Sequence, residues 1–234
     1  MNLLSSKHFR YSLVPPVLFL IILWLVALLQ WGFDAEWADL GILPRTAEGL
    51  KGIVLSAFIH KNFSHLLANT PAIFILSWFV YYFYKEIANK IMLFIWAGSG
   101  VLTWIIGRPA YHVGASGMIY GLAFFLFFSG IFRRNQRLSA IALITVFVYG
   151  SLFWNMFPVA ELVDPSVSWE GHLSGALVGL FTAVALRKEG PQPDPLPNEE
   201  DEDEDPENNE VSDSDISLQS TIHEEKRAEK PDSK

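Results

Sequence analysis

Cysteine is absent from the 234 residues, which excludes disulfides, thiolate nucleophiles and sulfur-ligated metals. No His-Glu-x-x-His element occurs either. His60 and His65 are five apart, about 140° around a helix, so they do not form a paired metal site. No metal or other cofactor is expected. Acidic residues are scarce before position 190: from Gly190 onward the chain holds 16 Asp+Glu and 4 Lys+Arg, leaving 9 acids and 13 bases for everything earlier. The formal charge of −8 is therefore a property of the tail. The one long charge run is acidic, and nucleic acid is not an expected partner.

That run, Glu199-Glu200-Asp201-Glu202-Asp203-Glu204-Asp205, repels itself and offers nothing to bury, so residues 190–234 read as a disordered acidic tail. Residues 12–189 read as one membrane domain and residues 1–11 as a short cytoplasmic N-terminus. Near-continuous apolar stretches run over Leu13–Trp31, Leu66–Tyr84, Ile91–Ile106, Ser116–Phe132, Leu138–Phe157 and Trp169–Leu186. At about 1.5 Å per residue most approach the roughly 20 residues a spanning helix needs; the third and sixth are short. The first is too long for a signal-peptide core and lacks an Ala-x-Ala cleavage pattern, which favours a retained anchor. The fold expected is all-α and polytopic, with six membrane helices.

An even number of crossings places both termini on one side. With the N-terminus inside, Lys7, Arg10, Lys85, Lys90, Arg133, Arg134, Arg137, Arg187 and Lys188 face the cytoplasm, and only Arg45, Lys51, Lys61 and Arg108 fall outside. The positive-inside bias favours this arrangement. The chain is then a multi-pass protein, expected in the cell (inner) membrane, with its tail in the cytoplasm. The second, fourth and sixth helices all begin at the outer face. Their first turns carry His65 with Asn69, Ser116, and His172, so three polar groups distant in sequence share one membrane depth.

An isolated intramembrane serine is usually a packing residue. Ser116 differs because Gly114 and Gly117 flank it, and Gly117-x-x-x-Gly121 continues a small-residue face. On the sixth helix His172 precedes Gly175-x-x-x-Gly179, which permits close approach of the two backbones. A serine hydroxyl needs a base to become a nucleophile, and a neutral imidazole suits that task near pH 7. His65 and Asn69, four apart, share a helix face and can present donors to an oxyanion together with the Ser116 backbone N–H. Tyr120, one turn after Ser116, can pack on the His172 ring. Glu170 and Asp164 read as solvated loop charges, and His8, His112 and His223 as loop or tail residues. The economical unit is a Ser-His dyad.

These elements together resemble the rhomboid intramembrane serine proteases over about residues 12–188. The resemblance rests on His60-x4-His65-x3-Asn69 entering the second helix, Gly114-Ala115-Ser116-Gly117 with Tyr120 in the fourth, and Gly171-His172-x2-Gly175-x3-Gly179 in the sixth. It implies a six-helix rhomboid-like bundle, Ser116 as nucleophile, His172 as general base and then acid, and His65, Asn69 and the Ser116 backbone as oxyanion donors. It also implies a substrate that is itself a transmembrane protein in the same lipid bilayer, cut in or beside its membrane segment from the outer side. The other reading is a catalytically silent rhomboid-like protein that binds transmembrane segments. A small transporter using the two histidines as a proton path is disfavoured, because no acid lies beyond the first turn of any span. Many family members carry an adjacent Trp-Arg pair in the first outer loop, whereas Trp37 and Arg45 are separated here. Oligomeric state is not legible in the sequence.

Overall fold

A computed structural model describes residues 7–150, 156–157 and 168–193. Among them six long helices follow one another: α1 (Lys7–Gly32), then a loop holding the one-turn α2 (Gly52–Leu55), α3 (Phe63–Phe83), α4 (Ala88–Ile106), α5 (Ser116–Arg133), α6 (Gln136–Tyr149) and α7 (Trp169–Ala185). No strand occurs among the described residues; Ile42 and His112 form a single isolated bridge. The class is all-α, as read from the sequence. Among the described residues four helices, α1, α3, α4 and α5, are long and apolar enough to cross a membrane. As described, α6 has 14 residues and α7 has 17. Much of the stretch expected after Tyr149, the loop acids Glu161 and Asp164, and the acidic tail beyond residue 193 lie outside the described residues.

The apolar residues of these helices do not all face inward. α1 buries only a stripe, Ser12, Pro16, Leu23, Ala27 and Gln30, while Leu18, Ile22, Leu25 and Leu28 are about half exposed or more. A helix apolar on every side with one buried stripe is suited to hydrocarbon. This protein is an integral membrane protein. At the centre stands α5, whose Ile119, Leu122, Phe125 and Leu126 meet Ile73 and Leu76 of α3, Ile91 and Ile95 of α4, Leu138 and Ile141 of α6, and Ala183 of α7.

The first loop is folded into helical turns at Ala38–Leu40, Glu48–Leu50, α2 and Ser56–Phe58. Its backbone lies against itself at Gly49 and Gly52, where an added Cβ would come within 2.0 Å of Leu43 O and 2.2 Å of Gly41. Arg45 is in the left-handed region at φ 59°. Its Nη1 donates to Ile105 O at 3.0 Å and Gly107 O at 2.7 Å, carbonyls that the end of α4 leaves open. Trp104 Nε1 donates to Thr46 O at 2.9 Å from the other side. The separated arginine therefore ties the first loop to the α4–α5 loop. At the opposite end of the bundle the buried Arg133 donates to Ser129 Oγ, Pro191 O and Leu186 O and lies over the Tyr84 ring. That satisfies a guanidinium that would be costly to bury alone.

Candidate active site

α5 begins at Ser116 without a side-chain cap, since Ala115 occupies the N-cap position. Serine, threonine or aspartate there would have satisfied a first-turn amide. The donors of this turn, at the positive end of the helix, are instead available to an anionic group. Gly114 leads in with φ 109°, a conformation suited to glycine. A Cβ on Gly114 would stand 2.6 Å from His65 Cε1 and 3.0 Å from its Nε2. The His65 ring thus lies against the backbone two residues before Ser116. Ala115 and Leu66 share a small core with Leu23 and Ala27, which holds the start of α3 beside the start of α5.

α5 and α7 meet backbone to backbone. An added Cβ would reach Gly171 O at 3.1 Å from Gly117, Gly117 O at 1.9 Å from Gly175, and Gly121 O at 2.2 Å from Gly179. The small-residue faces read from the sequence therefore form one continuous contact. His172, 7% exposed, stacks on Tyr120 with ring centroids 4.2 Å apart and planes at 9°. Tyr120 is one turn along from Ser116 on the same helix, and His172 follows the glycine that faces Gly117. This places Ser116 and His172 on adjoining first turns of the two closest helices. Beside Ser116 is a cavity of about 40 Å³, lined among others by Ser56, Ser99, Thr103 and Ser168. It is large enough to hold water, with polar side chains in an otherwise apolar wall.

His60, unassigned by spacing arguments, is fully buried. Its Nδ1 faces Phe58 O at 3.4 Å, so this nitrogen is the donor, and Nε2 accepts from Asn69 Nδ2 at 3.1 Å. The His60 and His65 rings lie 5.1 Å apart. One Asn69 amide hydrogen is thus taken by His60 and the orientation of the other follows from it. No sequence signal finds this pairing, because residues nine apart across a helix start meet only through the loop. Glu170 departs from the expectation of a solvated charge: it is 2% exposed, with Oε1 accepting from Arg108 N at 3.3 Å and lying 3.7 Å from Arg108 Nε. Its place in the first turn of α7, where the helix dipole favours an acid, explains the burial. His112 is likewise buried rather than a free loop residue.

Burial, reinforced by the neighbouring His65, holds the His60 imidazole down at about 4. The unfolded chain takes up this proton from about pH 6.5, so it binds more protons than the folded one between that pH and 4. Stability therefore falls as the pH drops through this window. Thermal unfolding in detergent should show a smaller drop in Tm from pH 7 to pH 4.5 for His60→Gln, which keeps an acceptor for Asn69, than for wild type. Parallel curves would contradict the assignment.

The positions just described fall within a match to the Rhomboid domain model over residues 47–189. An uncharacterized protein of Mycobacterium tuberculosis is 34% identical over 180 residues, 72% of each chain. An uncharacterized protein of Mycobacterium leprae is 30% identical over 190 residues, 78% of this chain and 75% of the relative. With three of its helices opening on one glycine-packed site, and with that match spanning most of the membrane domain, the chain belongs to the rhomboid family.

Proposed function

We propose that the protein is an intramembrane serine endopeptidase that cuts transmembrane proteins within or next to their membrane segment. The observation that carries this reading is the stacked Tyr120–His172 pair at the glycine contact of α5 and α7, one helical turn from Ser116. His172 takes the Ser116 proton as Oγ attacks the scissile carbonyl, and returns it to the leaving amine. The oxyanion is received by the Ser116 backbone N–H at an uncapped helix start, by the remaining Asn69 amide hydrogen and by His65. Water then hydrolyses the ester with His172 again as base. Gly114 and Gly117 allow the close approaches around Ser116, while Gly175 and Gly179 keep α7 against α5.

A peptide bond in a membrane helix is shielded and hydrogen-bonded, so the substrate must unwind locally before it reaches Ser116. Substrates with helix-destabilising residues at the cut are therefore favoured. In the orientation set by the basic residues, both termini are cytoplasmic and the site opens toward the outer face of the cell membrane.

The test is cleavage of a single-span model substrate by the full-length chain in liposomes, together with labelling of Ser116 by a fluorophosphonate. Labelling and cutting are expected. A protein that binds the substrate but does neither is the silent relative. Asn69→Ala should lower kcat by about 10², the usual cost of deleting one oxyanion donor. Unchanged turnover would remove Asn69 from this role.

A further inference from the structure

His112 stands four residues before Ser116 and has no part in the chemistry just proposed. It is nonetheless 5% exposed, and its main chain is held from both directions by Ile42, with N–H to O distances of 2.9 and 3.0 Å. The ring reaches from this loop to the start of α7. Its Nε2 lies 3.1 Å from Arg108 O, which can only accept, so Nε2 carries the proton. Nδ1 is then an acceptor, and Ser168 Oγ stands 2.6 Å from it. The Ser168 hydroxyl donates to His112, and its lone pairs receive the Gly171 N–H at 3.1 Å as the N-cap of α7. Burial lowers the His112 pKa, in keeping with a neutral ring, although the bonding pattern stands without it.

Gly171 is the pivot of this chain. Its N–H is fixed by Ser168, and a Cβ on it would come within 2.8 Å of Ser168 Oγ. Its carbonyl faces Gly117, the residue after Ser116, and the next residue along α7 is His172. The loop that delivers the serine thus also orients the cap of the helix that delivers the histidine.

We infer that His112, acting through Ser168, is a positioning residue that sets the first turn of α7, and with it His172, against Ser116. Its catalytic consequence rests on the peptidase reading; the coupling itself does not. A capping serine alone leaves its hydroxyl free to rotate, whereas His112 takes the hydroxyl proton and aims the lone pairs at Gly171. Asparagine at 112 can retain an acceptor near the Nδ1 position, while alanine cannot. This gives a rescue that a simple loss of packing would not show.

The experiment uses the full-length protein in detergent micelles. Amide hydrogen exchange at Gly171–Leu173 is followed in wild type, His112→Ala, His112→Asn, Ser168→Ala and the double alanine variant. A parallel set carries Ser116→Ala, so that exchange is read without turnover. Each single alanine should speed exchange in this turn about tenfold, with kcat falling about tenfold at unchanged KM. The double variant should match the single ones, and His112→Asn should recover most of the loss. Unaltered exchange in both single alanine variants overturns the inference, as does an additive double variant. If His112→Ala does not fold, His112→Phe, which keeps the ring but has no acceptor for the Ser168 hydroxyl, takes its place against His112→Asn in the same readout. Exchange that responds as expected in a wild type that cuts nothing would sink the peptidase reading and leave the coupling intact.

Discussion

Alanine at Ser116 or at His172 is expected to lower kcat on a single-span substrate by about 10⁴-fold or more, with the double variant no worse than either single one. The two side chains act as a unit. An unassisted hydroxyl is a poor nucleophile, and an imidazole without a hydroxyl to deprotonate has nothing to activate. Substrate binding should persist in all three variants, because neither atom supplies much contact with a transmembrane helix. The residual rate in each reports the oxyanion donors alone: the Ser116 main chain, Asn69 held by its 3.1 Å bond to His60, and His65 against Gly114. Single-turnover cleavage in liposomes at saturating enzyme separates chemistry from binding. Equal cleavage by wild type and both alanine variants would remove the dyad from consideration. Losses that multiply in the double variant would mean that serine and histidine serve different steps.

The helices and their order were legible because hydrocarbon imposes a simple constraint: long apolar stretches, each satisfying its own backbone. The start of α5 at Ser116 followed from the break at Gly114 and the apolar run after it. The close α5–α7 contact followed from glycines at fourfold spacing. What escaped were groups whose environment is set across the fold. Glu170 looks solvated beside Trp169 in a loop, yet the first turn of α7 and Arg108 enclose it. His112 looks like a loop histidine and His60 only like part of the approach to the second helix, and the folded chain brings them to Ser168 and Asn69. The turns of the first loop escaped for a related reason. Its short elements are held by contacts with α4, such as those of Arg45, rather than by local periodicity.

A methyl group at position 175 should disable the protein more thoroughly than its size suggests. The Cβ of Gly175→Ala would lie 1.9 Å from Gly117 O and 3.1 Å from Gly121 N, both main-chain atoms in the first two turns of the best-enclosed helix. A flexible side chain could turn aside, but a helix backbone cannot, so α7 must move outward as a body. Overpacking of this kind costs about 1–3 kcal/mol. The larger consequence is geometric: His172 is carried on α7 one turn before Gly175, and a misplacement of about 1 Å at a reacting group can cost about 10² in rate. Gly175→Ala is therefore expected to lower both Tm and kcat, and Gly175→Val to do so further. Two controls fix the interpretation. Gly32→Ala has nothing within 4 Å of its new Cβ, and Leu177→Ala trims a side chain 46% exposed on the outer side of α7. Both should leave turnover near the wild-type level. Thermal unfolding and cleavage measured side by side give the answer. If Gly175→Ala keeps full activity, the two helices are not in backbone contact, and a reaction between Ser116 and His172 loses its structural basis.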